Sequence, residues 1–124
     1  MTDSSSIFAR LMAVIEDRKA RPAEKSYTTT LLAGGVAKIG DKIREEAAEI
    51  VAAAGEPGPA GRDHTIGEAA DCFYHLLVLL AHRDISLADV EAELERRFGT
   101  SGLAEKASRR PGDIPPQPMQ DRPS

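Results

Sequence analysis

The sequence predicts an all-α protein, a bundle of four or five helices, on three observations. Apolar residues recur at steps of three and four in four separate stretches, nothing alternates with period two, and glycine or proline marks the breaks between stretches. Four helices in about 95 residues can form a bundle. A core of that size is marginal by itself, so pairing with a second copy is expected to enlarge it.

Each element has its own signature. Ile7, Phe8, Leu11, Val14 and Ile15 follow serines that can cap a helix, which places the first helix over about 6–19, with Pro22 just past its end. Leu32, Val36, Ile39, Ile43, Ala47, Ile50 and Ala54 mark a long second helix ending near Gly55. Gly34, Gly35 and Gly40 weaken its first half by roughly 1 kcal/mol each relative to alanine, so a break or kink is expected near Gly34 and Gly35. The run Gly-Glu-Pro-Gly-Pro-Ala-Gly over 55–61 reads as a surface turn outside any helix, with the third helix beginning at Thr65. That helix is apolar nearly all round from Cys72 to Ala81, the pattern of a central element surrounded by other helices. Ser86 and Asp89 have capping-box spacing, and Leu87, Val90, Leu94 and Phe98 form the stripe of a last helix that stops at Gly99. Five of the eight prolines lie in 111–124, so a disordered tail is expected after a single domain over 1–110.

Composition excludes several function classes. The chain has 124 residues, 20 Asp and Glu against 16 Lys and Arg, a formal charge of −4, 4% aromatics and no tryptophan. The acid excess argues against a phosphate-backbone binder, and the scarcity of aromatics against a stacking platform for single strands, so nucleic acid is not an expected partner. The lone Cys72 rules out an internal disulfide or a multi-thiolate zinc site and suits a reducing compartment, the cytoplasm. Met1 to Ser6 has no basic run leading into an apolar one, so no signal peptide is expected. Leu76 to Ala81, the longest apolar run, is too short to span a bilayer, and no membrane partner is expected either.

The acid is concentrated. Between Asp41 and Asp71 there are eight acidic and three basic residues, a local net of −5 that accounts for the whole excess. Glu46 and Glu49 are three apart on the second helix, Glu68 and Asp71 three apart on the third, so each pair shares a helix face. About eighteen residues between Glu49 and Glu68 let the two helices pack antiparallel, which collects four carboxylates in one small volume. Such a cluster repels itself, and a hard divalent cation bound through oxygen, Mg²⁺ or Mn²⁺ rather than zinc, would neutralise it. The plainer alternative is a solvated acidic face, with Lys42 and Arg44 as local partners and Glu68 and Asp71 complementing the helix dipole.

Other residues carry weaker signals. His75 follows Asp71 by four and Glu68 by seven, on the same face, and reads as a hydrogen-bonded histidine of the core rather than a ligand. Cys72 reads as a small buried apolar residue, and His64 and His82, at helix ends, are given no role. Arg96, Arg97, Lys106, Arg109 and Arg110 around Ser101-Gly102 form a basic segment that can hold phosphate or simply complement the end of the last helix. Lys38 and Lys42, two turns and one turn before Glu46, can meet a phosphate or balance acid.

Taken together these motifs are recognisable. Glu46-x-x-Glu49 followed by Glu68-x-x-Asp71 resembles the signature of the all-α nucleoside triphosphate pyrophosphohydrolases, the superfamily of MazG proteins and dimeric dUTPases. Within it, Asp17-Arg18, Ser26-Tyr27-Thr28, Lys38-Ile39-x-x-Lys42, Glu45-Glu46-Ala47-x-Glu49, Glu68-Ala69-x-Asp71-x-x-Tyr74-His75 and Arg97-x-x-x-Ser101-Gly102-x-x-Glu105-Lys106-x-x-Arg109 resemble the phosphoribosyl-ATP pyrophosphatase family, over roughly Ile7 to Arg109.

The resemblance implies hydrolysis of 1-(5-phosphoribosyl)-ATP to 1-(5-phosphoribosyl)-AMP and pyrophosphate, the second step of histidine biosynthesis, dependent on Mg²⁺. It implies metal ligation by Glu46, Glu49, Glu68 and Asp71, and activation of water by Glu45, Glu46 or Glu49. Phosphate contact would fall to Arg18, Lys38, Lys42, Arg97, Ser101, Lys106 and Arg109, with Ser26, Tyr27 and Thr28 near the substrate. It also implies a homodimer, and a stand-alone enzyme without the cysteine-rich cyclohydrolase domain that accompanies the activity in some organisms. A general nucleoside triphosphate pyrophosphohydrolase of the MazG type and a non-catalytic helical dimerisation module are the alternatives.

Overall fold

In the computed structural model, which describes residues 6–99, α1 (Ile7–Ala20) begins where the Ser6 hydroxyl accepts a hydrogen bond from the Ala9 N–H at 3.2 Å. It presents Met12 and Ile15 to the core. α2 (Tyr27–Ala54) is capped in the same way by Ser26, whose hydroxyl accepts from the Thr29 N–H at 3.1 Å. α3 (Gly58–His82) and α4 (Leu87–Phe98) follow, and among the described residues there is no strand. The fold is all-α. The chain divides into two compact units between Leu87 and Ala88, the first containing α1 to α3 and the second nearly all of α4.

Gly35 falls inside α2 with φ 70° and ψ −165°, a conformation in which a residue with a Cβ is strained. The expected break is therefore real, and it redirects the chain. Thr28 Oγ1 meets the Tyr74 hydroxyl at 2.5 Å, a Cβ on Gly35 would lie 3.9 Å from His82 Cε1, and Glu46 gathers with Glu68 and Asp71. Before Gly35, α2 thus runs along α3 in the same direction; after it, in the opposite one. A straight helix would set Thr28 about 27 Å from Glu46, whereas only about 16 Å of α3 remain beyond Asp71. The turn at Gly35 also shifts the phase of the apolar stripe, so Leu31 rather than Leu32 is the fully buried residue before the break.

The connection to α3 is shorter than the composition of 55–61 suggests. Only Gly55–Pro57 lie outside helix, and 58–61 form the first turn of α3. Pro59 is tolerated there because the first N–H groups of a helix have no intrahelical acceptor. Gly61 is required by a close approach, since a Cβ on it would fall 2.1 Å from the Glu56 carbonyl oxygen.

Ile15, Leu31, Ile39 and Val78 are completely enclosed, joined by Met12, Leu77 and Ala81. Each such large apolar side chain contributes about 1.5–3 kcal/mol by leaving water. Lys19 ties α1 to the end of α3, donating to the Ala81 and His82 carbonyls at 3.0 and 2.9 Å and to Asp84 Oδ1 at 2.7 Å. α3 buries Leu77, Val78 and Ala81 on one face while Phe73 and Leu76 stay largely exposed, so within this chain it is not enclosed all round.

Candidate active site

The second segment of α2 and the first half of α3 lie antiparallel, which puts Glu46 and Glu49 beside Glu68 and Asp71. One carboxylate oxygen from each of Glu46, Glu68 and Asp71 lies within 4.8 Å of the others. Glu49 is exposed and stands at the rim next to Glu68, outside that closest group of three. Asp71 is exposed as well, so the cluster opens to solvent on one side and closes toward the core on the other.

On the closed side, Glu46 Oε1 and Glu68 Oε1 are both buried without a hydrogen-bond donor. Each of these carboxylates has its other oxygen near an imidazole: Glu46 Oε2 is 3.9 Å from His75 Nδ1, and Glu68 Oε2 is 3.3 Å from His64 Nε2. Burial first, then the charges of Asp71, Glu68 and Glu49, push the Glu46 carboxyl up to about 7. Glu49 is likewise raised, chiefly by Glu68. Buried acceptors facing one another with no proton between them favour a cation, and an all-oxygen set suits a hard one. The residues present fit a divalent metal ion.

Positive charge lines one edge. Lys42, one turn before Glu46, lies 3.5 Å from Glu45 Oε1, and the Tyr27 phenol, followed by Glu45, holds its ammonium above the usual lysine range. Glu45 and Lys38 are exposed on α2. Arg18, on α1, pairs with its neighbour Asp17 at 3.2 Å. Arg97, in the second compact unit, is paired with Glu93 at 2.6 Å inside α4. Ser101, Lys106 and Arg109, and the tail expected over 111–124, lie outside the described residues.

Two contacts were not anticipated from sequence. His64 is in the second turn of α3, where it bridges Glu56 at 3.0 Å and Glu68, and those two carboxylates, Glu56 the more strongly, raise its pKa. Its i,i+4 spacing to Glu68 was the available signal, hidden by the expectation that the helix begins at Thr65. Tyr27 reaches across to α3, its hydroxyl 3.4 Å from His75 Nε2, a pairing that only the turn at Gly35 makes possible. Cys72, half-buried beside the cluster, has its thiol pushed up by burial and then by Glu46 and its neighbours, so it is a poor nucleophile.

Comparison with known proteins decides the family. The family model described as Phosphoribosyl-ATP pyrophosphohydrolase matches residues 8–98. The chain belongs to that family. A phosphoribosyl-ATP pyrophosphatase of Rhodopirellula baltica is 55% identical over 109 residues, covering 88% of this chain and 91% of the relative. Those of Geobacter metallireducens and Cereibacter sphaeroides are 48% and 50% identical, covering 88% and 84% of this chain and 97% and 98% of theirs. The phosphoribosyl-ATP pyrophosphohydrolase match takes in all four helices and all four clustered carboxylates. Among the described residues, no helix is long and apolar enough to cross a membrane.

Proposed function

We propose that the chain hydrolyses 1-(5-phosphoribosyl)-ATP to 1-(5-phosphoribosyl)-AMP and pyrophosphate, the second step of histidine biosynthesis. Relatives bearing the name of that activity support the substrate, and one observation carries the chemistry: two buried carboxylate oxygens without donors, in a cluster that only a cation completes. Glu46, Glu49, Glu68 and Asp71 would hold the ion, Mg²⁺ or in its place Mn²⁺. A divalent cation so held supplies neutralisation of triphosphate charge and a water of lowered pKa.

The remaining work falls to side chains. Lys42, beside the cluster, draws in the polyphosphate and offsets charge on its oxygens. Lys38, two turns from Glu46, extends the same cationic edge. Arg18, Arg97, Ser101, Lys106 and Arg109 are assigned to phosphate contact on the family resemblance alone. Glu45, exposed at the rim, accepts a proton from the water that attacks the α–β linkage, Glu46 and Glu49 being the alternative bases. Pyrophosphate leaves, and the phosphoribosyl-AMP half remains.

We also propose a homodimer in the cytoplasm. Val36, Val51, Ile66 and Phe73 are at least half exposed in the single chain, an apolar surface that a second copy would cover. The test of the site is substitution: Glu49→Gln or Asp71→Asn abolishes Mg²⁺-dependent pyrophosphate release while leaving the helical circular dichroism signal intact. Near-normal turnover in both variants contradicts the site.

A further inference from the structure

His75 is the buried polar residue of the described core, and the reaction outlined above gives it no part. Its surroundings are specific. Nδ1 lies 2.9 Å from the Asp71 carbonyl oxygen, which can only accept, so the proton of the neutral ring is on Nδ1. Nε2 is then an acceptor, and the Tyr27 hydroxyl is 3.4 Å away to donate to it. Tyr74 packs edge-on against the imidazole with centroids 5.0 Å apart and is itself held by Thr28 Oγ1, so the ring has little room to turn. With the ring fixed in this way, the Nδ1–H points toward Asp71 O and the adjacent Glu46 Oε2 at 3.9 Å. The other Glu46 oxygen is the buried one that lacks a donor.

We propose that His75 is a positioning residue for Glu46, set in its tautomer by Tyr27, so that the Nδ1–H anchors one carboxylate oxygen and leaves the other directed at the cation. This rests on the metal-site reading above and accounts for the Ser26-Tyr27-Thr28 motif. The turn at Gly35 brings Tyr27 back to α3 to lock the imidazole, and Thr28 does the same for Tyr74. Hydrogen-bond partners of ligating carboxylates fix ligand orientation, and losing them typically costs roughly 10–100-fold in metal affinity.

The experiment is Mn²⁺ binding to the full chain by electron paramagnetic resonance, with no substrate, together with ¹⁵N spectra of the imidazole in chelator. His75→Leu, which keeps bulk and loses the donor, weakens Mn²⁺ roughly 10-fold or more. His75→Asn, whose amide nitrogen replaces Nδ1, restores affinity to within about 3-fold, as a merely space-filling role would not. Tyr27→Phe, a change at a half-exposed position that spares the core, weakens Mn²⁺ and turns the single Nδ1–H tautomer of the wild type into a mixture. Wild-type affinity in both His75→Leu and Tyr27→Phe, or a wild-type ring protonated at Nε2, overturns the proposal. If the wild type binds no Mn²⁺, the cation reading itself falls, and the tautomer of the wild type and of Tyr27→Phe still judges the Tyr27–His75 lock.

Discussion

Replacing Glu46 with Gln should make the metal-free protein more stable at pH 8 and change it little at pH 5. The folded carboxyl is held at about 7, against the 4.5 of an ordinary glutamate, because burial and then Asp71, Glu68 and Glu49 disfavour its charge. The folded state therefore keeps a proton that the unfolded chain gives up above about 4.5. Stability of the wild type falls as pH rises from 4.5 to 7, and the loss is complete above 7. At 1.36 kcal/mol for each tenfold difference in proton affinity, the full interval corresponds to about 3 kcal/mol. The cluster opens to water beside exposed Glu49 and Asp71, and screening reduces that to about 1–2 kcal/mol. Gln resembles the protonated carboxyl and escapes the penalty. In thermal melts with chelator, the difference in Tm between Glu46→Gln and wild type should grow by about 4 °C or more from pH 5 to pH 8. Adding Mg²⁺ at pH 8 should reverse the order, stabilising the wild type and not the variant. A Tm difference that is the same at both pH values refutes the reasoning.

The remaining predictions separate scaffold from site. Lys19→Met strips three acceptors at the end of α3 of their donor and should cost roughly 1–3 kcal/mol in urea unfolding with kcat unchanged; an unaltered midpoint would make that tie dispensable. Gly35→Ala puts a Cβ at φ 70° and should destabilise by about 1–2 kcal/mol, while also lowering Mn²⁺ affinity because Tyr27 no longer returns to His75; a variant as stable as wild type contradicts the sharp turn. Lys106→Ala should raise KM for the polyphosphate substrate with little change in kcat, and an unchanged KM removes that residue from phosphate binding.

Much of this was legible in the sequence, for identifiable reasons. Helical periodicity over Ile7 to Ile15 and Leu87 to Phe98 is a local property, as are the serine caps and the glycine break, and all of them appear where the spacing places them. The pairing of Glu46 with Glu68 and Asp71 needed only the i,i+3 rule and a reversal between two helices. What stayed hidden depends on long-range geometry. Composition cannot say that Gly35 turns the chain back along α3, so neither Leu31 as a core residue nor the Tyr27–His75 contact could be foreseen. The run over 55–61 misled because proline and glycine inside a first helical turn look the same in sequence as proline and glycine in a loop. The apolar circumference of α3 was read as enclosure, but enclosure on the Phe73 and Leu76 side requires a surface that this single chain does not supply.

The central claim is that a cation-completed carboxylate cluster hydrolyses a specific nucleotide. It is tested most directly by measuring pyrophosphate release from phosphoribosyl-ATP and from ATP, each with Mg²⁺ and with chelator. Release from phosphoribosyl-ATP that exceeds release from ATP and stops in chelator is the expected result; equal release from both nucleotides, or release that persists in chelator, contradicts it.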